Sequence, residues 1–182
     1  MIPLPSQVDD LATLSQALDA ADHETRLAWL GTLNKKEMKK LYGQATGTTL
    51  NAAFFHADTD AVVIHHGKNS LPAFTRFQKR MIRVGDRTQG YNDQTMAWLT
   101  GPGHFLVRPS QDVEGEFWLD YTWEPDTAPE VFPAVKSNMS GTSRLVYGGM
   151  IDVMRRVSAN VTIGAAVKKD KLTGDYFTLC RE

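Results

Sequence analysis

From Ala61 to the C-terminus, apolar residues recur at every second position, in short runs divided by Gly-, Pro- and Asp-rich punctuation. That period belongs to β-strands whose two faces meet different surroundings. Eight runs carry it, at about 61–66, 73–84, 94–100, 103–108, 116–123, 144–157, 160–168 and 175–181. Eight strands joined by short turns leave open edges unless the sheet closes or packs as two layers, and sequential order favours closure. The expected fold is mainly β, an antiparallel up-and-down barrel of about eight strands. A barrel that size either is filled by its own side chains or holds one small ligand.

Two hairpins can be registered from the sequence. Gly101-Pro102 as a two-residue turn pairs Trp98 with Phe105 and Met96 with Val107. Ser158-Ala159-Asn160 as a three-residue turn pairs Val157 with Val161, Arg155 with Ile163, Val153 with Ala165 and Ile151 with Val167. Each register collects apolar residues on one face, Arg155 being the exception. The run 116–123 puts Phe117, Leu119, Tyr121 and Trp123 on one face, and Glu116, Trp118, Asp120 and Thr122 on the other. Gly67-Lys68-Asn69-Ser70 and Gly90-Tyr91-Asn92-Asp93 read as turns.

Residues 1–50 read as a helical segment packing on a barrel of residues 51–182. Ser6 is a plausible N-cap before Val8, Leu11, Leu14 and Leu18. A second helix follows Asp22, and a third follows Asn34 with Met38, Leu41, Tyr42 and Ala45 on its buried stripe. Lys35, Lys36, Lys39 and Lys40 fall on the solvated face of that third helix. The chain has 182 residues, 20 basic and 21 acidic, for a net charge of −1. That balance argues against a broad nucleic-acid-binding face. One cysteine, Cys180, excludes an internal disulfide framework. No apolar run approaches a membrane span, and the N-terminus shows no secretory pattern. These features point to a cytoplasmic protein; oligomeric state stays open.

The segments Gly149-Met150-Ile151-Asp152, Arg155-Arg156-Val157, Thr162-Ile163-Gly164 and Tyr176-Phe177-Thr178-Leu179-Cys180-Arg181 resemble the closing strands of small lipocalin-like (calycin) barrels. The likeness is nearest to uncharacterised bacterial ones. It implies a barrel and an apolar small-molecule ligand, and carries over no catalytic residue. The lipocalin opening Gly-x-Trp is absent.

Arg155 stands out, because a guanidinium on an apolar face must find an anion or reach solvent. It would bind a ligand's acidic end, pair internally with Asp120, Asp152 or Glu116, or extend to the barrel mouth. Arg76 and Arg80 share a face of the second run and would add cations. Tyr121 and Tyr147 would help to anchor a polar end, while Trp98, Phe105, Phe117 and Trp123 would wall the apolar part. No metal spacing and no nucleotide fingerprint is present, and no cofactor is expected.

The first functional expectation is binding of a small apolar or amphiphilic molecule inside the barrel. The alternative is a small barrel enzyme using acid–base chemistry, with His65, His66, Asp120 and Asp152 as candidate proton carriers beside Tyr121 or Tyr147. A third reading is a protein-interaction module with a filled barrel. Enzyme and binding protein differ in one respect: an enzyme needs a histidine or carboxylate within hydrogen-bond reach of a tyrosine or arginine inside the cavity.

Overall fold

A computed structural model describes residues 1–58, 60–73, 75–95 and 97–182. Eight antiparallel strands close in sequential order into a barrel, with β8 returning to β1. They are β1 (Val63–Asn69), β2 (Arg76–Val84), β3 (Arg87–Asp93), β4 (Phe105–Pro109), β5 (Phe117–Asp120), β6 (Met150–Arg156), β7 (Val161–Lys168) and β8 (Lys171–Arg181). Helices α1 (Leu11–Asp19), α2 (His23–Thr32) and α3 (Lys35–Gln44) precede the barrel. Two single helical turns, α4 (Ala97–Thr100) and α5 (Ser143–Val146), lie in its connections. Phe74, in the second expected run, and Met96, in the first expected hairpin, lie outside the described residues.

Each N-terminal helix starts on a side-chain cap. Asp10 accepts from the Thr13 amide at 2.8 Å, Asp22 from Thr25 at 2.8 Å, and Asn34 from Glu37 at 3.0 Å. The first helix therefore begins later than the expected Ser6 cap. Ser6 instead lies in a 3-10 turn and donates its N–H to Glu37 Oε2 at 2.9 Å. The apolar stripes of these helices, including Leu14, Leu18, Leu30, Met38 and Leu41, cover the outside of the barrel over Val157, Val161, Ile163, Ala165 and Cys180. The sheet at β6–β8 is thus buried on both faces, which places one core outside the barrel and a second within it.

The hairpin β6–β7 has the register expected of it, with Ile151, Val153 and Arg155 opposite Val167, Ala165 and Ile163. Its apolar face, however, looks outward into the helical layer. Arg155 goes with it. Its Nε donates to Glu116 Oε1 at 2.6 Å, and Nη1 donates to the Tyr42 carbonyl at 2.8 Å and to Thr46 Oγ1 at 2.9 Å. The guanidinium also lies 3.9 Å from the Tyr42 ring centroid. It clamps the end of α3 to the barrel wall and does not face the interior. Of the alternatives open for it, the pair with Glu116 is the one formed.

The first expected hairpin is not formed. Phe105 pairs with Gly90 and Val107 with Thr88, because the third strand is Arg87–Asp93 and the run 94–100 holds α4. The turns expected at 67–70 and 90–93 are largely strand. Glycine is needed at both places for a close approach: a Cβ on Gly67 would lie 2.5 Å from Phe77, and one on Gly90 would lie 2.6 Å from the Phe105 ring. Trp98, expected inside, stands 76% exposed on α4.

The barrel interior has two halves. At one end, the 3-10 turn Ala52–Phe54 and Phe55 insert as a plug. Phe55 packs 5.2 Å from Phe117, and Met81, Leu119, Met154 and Leu179 fill the space around them. The other end is hollow.

Candidate ligand-binding site

Alternation along β2 sends Phe77, Lys79 and Met81 inward, in register with Gly67, His65 and Val63 of β1. Lys79 therefore sits mid-barrel, where the plugged half gives way to a cavity of about 400 Å³. Phe77, Phe177, Tyr147 and Met150 form the apolar wall, with Leu71, Leu145 and Val146 nearer the mouth. The floor is polar and consists of Lys79, Asn92, Tyr121 and Asp152, each no more than 4% exposed.

The floor is a closed knot. Lys79 Nζ donates to Asn92 Oδ1 at 2.7 Å, to Asp152 Oδ2 at 3.2 Å and to the Tyr121 hydroxyl. An ammonium has three protons, and all three are used here. Four rings, of Phe77, Phe105, Tyr121 and Phe177, hold their centroids 5.0–5.5 Å from the same nitrogen. Aromatic faces stabilise a desolvated cation. Tyr121 lies 3.2 Å from Asp152 Oδ2 and 5.2 Å from Tyr147, with their rings stacked at 12°. Gln94 Nε2 donates to the Tyr147 hydroxyl at 2.8 Å.

Burial pushes the Lys79 ammonium down from its ordinary value and the Asp152 carboxyl up, and the attraction between them opposes both shifts. Three acceptors around Nζ and the adjacent carboxyl favour the ammonium and carboxylate forms against that burial. Burial, then the nearby Asp152 charge, raises the Tyr121 phenol well above its usual range. Burial also raises Tyr147, to about 12. Both phenols stay neutral donors at neutral pH. Asp152 Oδ2 takes two of the knot's hydrogen bonds, whereas Oδ1 takes none among the described residues. The carboxyl lines the cavity, so its second oxygen is left for whatever enters.

Of the residues singled out in the sequence, Tyr121, Tyr147 and Asp152 meet at this cavity. Phe105 lies inside, packed under Tyr121 at 5.2 Å, and Phe117 lies at the plug. Trp123 is half-buried beyond the end of β5 and does not line the cavity. Arg76 and Arg80 alternate outward, Arg80 onto Asp93 at 2.9 Å, and Asp120 faces outward onto Arg108 at 2.7 Å. His66 also faces out, 5.4 Å from the ring of His23. His65 points in, on the plug side of Lys79. Its Nε2 meets the Phe54 carbonyl at 2.8 Å, and burial lowers it to about 4. Among the described residues no His, Cys, Asp and Glu cluster has the make-up of a metal site.

Lys79 and Asn92 are the site residues that sequence reasoning missed. Lys79 had a signal, a lysine flanked two residues away on each side by Phe77 and Met81. Asn92 had none, because its strand reads as a turn.

The fold and site together define a half-plugged eight-stranded barrel with a polar-floored cavity. No family model, curated protein or solved structure matches the chain.

Proposed function

We propose that this is a small-molecule-binding barrel of lipocalin-like build, which takes one mainly apolar molecule into its open half. One observation carries the reading: an apolar cavity of about 400 Å³ ends on a buried polar knot in which Asp152 Oδ1 has no hydrogen-bond partner among the described residues. Apolar walls with a few fixed polar groups are the usual make-up of a ligand site. An acidic end, suggested by Arg155, loses its motive on the floor, where Asp152 already neutralises Lys79. A hydroxyl or N–H suits Asp152 Oδ1 better. A cytoplasmic setting stays part of the proposal, supported by the single buried thiol of Cys180.

The test is titration with N-phenyl-1-naphthylamine, an apolar fluorophore with one N–H, alongside native mass spectrometry of protein from cell extract. Saturable one-to-one binding, weakened at least tenfold in Asp152→Leu/Lys79→Met, is expected. Absence of saturable binding, or equal affinity in that variant, would overturn the reading.

The second reading is the acid–base enzyme. It is favoured by the Asp152 carboxylate lying within hydrogen-bond reach of Tyr121 in the cavity. Asp152 would be the proton acceptor, and His65, His66 and Asp120 would have no part. Turnover of a bound compound, lost in Asp152→Asn with binding retained, would separate it from the first.

A further inference from the structure

We infer that the open end of the barrel docks on an anionic lipid bilayer, laying the cavity mouth against the membrane surface. Leu71, Trp98, Leu99, Leu145, Val146 and Leu172 are six of the eleven exposed large apolar side chains among the described residues. All six stand in the connections or strand ends at the hollow end. Trp98 and Leu145 are 76% and 79% exposed. Scattered single exposures are ordinary, whereas their gathering round one opening marks an interaction surface.

The turns that carry them are tied into one rim. Ser143 Oγ donates to the Thr100 carbonyl at 2.7 Å, and Thr142 Oγ1 donates to the Leu99 carbonyl, which joins α5 to α4. Lys168 Nζ donates to the Leu145 carbonyl at 2.9 Å, joining α5 to the β7–β8 hairpin. Leu71, Leu145 and Val146 line the cavity, so the apolar rim is continuous with its wall.

Charge selects the partner. Segments 97–100, 136–147 and 168–175 hold Lys136, Arg144, Lys168, Lys169 and Lys171 against two acids, Asp170 and Asp175, the second of which already pairs with Lys35 at 3.3 Å, in a chain whose net charge is −1. A cluster of basic residues in the two connections that carry Leu145, Val146 and Leu172 complements anionic headgroups over an apolar layer: the cations draw the surface in, and the indole and leucines enter the interface. A protein partner or a second copy would be met equally well by the apolar side chains, but the concentrated positive charge favours the lipid surface. The contact proposed is peripheral, made by the connections at one end of the barrel; no helix among the described residues is long and apolar enough to cross a membrane. It gives an apolar ligand a route between bilayer and cavity without exposure to water. The docking itself does not depend on the ligand-binding proposal, and its readout is separate.

The test uses the full chain with vesicles of phosphatidylcholine alone, and of phosphatidylcholine with a quarter phosphatidylglycerol, at low and high salt. Co-sedimentation with the anionic vesicles only, weakened by salt, is expected. Trp98→Ser/Leu145→Ser and Lys169→Glu/Lys171→Glu should each lower the partition roughly tenfold or more while leaving the melting temperature nearly unchanged. Brominated lipid should quench the wild-type tryptophan signal more than that of Trp98→Phe. Failure to bind anionic vesicles at low salt would overturn the inference, as would binding untouched by both double variants. Concentration-dependent self-association abolished by Trp98→Ser/Leu145→Ser, without vesicle binding, would assign the rim to a second copy instead.

Discussion

Lys79 and Asp152 meet at 3.2 Å in the middle of the barrel, from strands on opposite sides of its wall, with neither side chain more than 4% exposed. A buried ion pair is weak support for stability, because the desolvation cost of two charges rivals their attraction. Asn92, the Tyr121 hydroxyl and the rings of Phe77, Phe105 and Phe177 complete the cation's surroundings, yet one carboxylate oxygen is without a hydrogen-bond partner among the described residues. That imbalance faces the cavity, where a bound molecule would correct it.

The pair makes a thermodynamic prediction. Lys79→Met leaves a buried carboxylate unpaired and should cost ~3–5 kcal/mol at neutral pH. Replacing both, as Lys79→Met/Asp152→Leu, should cost less than Lys79→Met alone. Burial already raises Asp152, and removing Lys79 raises it further. A raised folded pKa means stability that is present below the unfolded value near 3.8 and is lost as pH rises through the folded value. Denaturant titrations of Lys79→Met should therefore show part of the loss recovered on acidification. A deficit that stays constant with pH would mean that Asp152 finds another cation.

His65 sets the opposite slope in the wild type. Its imidazole is buried against Phe54 and Phe55 and lowered from 6.5 to about 4. A depressed folded pKa gives stability that is full above 6.5 and is lost as pH falls toward 4, because the unfolded chain binds the proton first. The loss amounts to about 3 kcal/mol over that window. His104, lowered by burial as well, adds to it with the same sign. His65→Gln keeps a donor for the Phe54 carbonyl and does not titrate, so its stability should fall less steeply from pH 6.5 to pH 4 than that of the parent.

Arg155 is predicted to matter for the helical layer and not for the cavity. Arg155→Met removes the bonds to Glu116, Tyr42 and Thr46 and leaves Glu116, itself buried, without its cation. The expected cost is ~3 kcal/mol. Hydrogen exchange should rise first in α3, and the affinity for N-phenyl-1-naphthylamine in the folded protein should stay as in the parent. A selective loss of affinity without loss of stability would return Arg155 to the cavity.

How far the sequence could be read depends on which faces were buried. The β6–β7 register was legible because both partners alternate cleanly around a three-residue turn. The side on which its apolar face lies was not, since that face serves a second core beneath the helices and alternation is blind to inside and outside. β3 was illegible for a different reason. Its inward residues are Thr88, Gly90 and Asn92, small or polar where Phe105 and Lys79 need room, so no apolar period survives. The site was half legible: Tyr121 and Asp152 stood out as polar groups on ordered strands, while their cation was hidden in a run whose two faces both carry charge.

Gly90 gives a direct check of that account. A Cβ there would meet the Arg80 carbonyl oxygen at 2.8 Å as well as the Phe105 ring, and a backbone atom of a paired strand cannot move aside cheaply. Gly90→Ala should destabilise by ~1–3 kcal/mol, the usual cost of overpacking. Relief of that loss by the added change Phe105→Leu would assign it to the ring, and no relief would assign it to the backbone.

Ala166 offers the sharpest separation of cavity from scaffold. It lies opposite Asp152 in the β6–β7 register and lines the cavity as a half-buried methyl group. An indole at this place would reach into the cavity of about 400 Å³. Ala166→Trp should therefore leave the melting temperature within a few degrees of the parent, since filling a cavity without forcing rotamers costs little. It should lower the affinity for N-phenyl-1-naphthylamine at least tenfold and leave vesicle binding by the rim unchanged. Unaltered affinity would show that the fluorophore binds elsewhere, for instance in the apolar recess beside Ile2, Leu4 and Trp29. A joint loss of affinity and fold would show instead that this half of the barrel is too tightly set to admit a ligand.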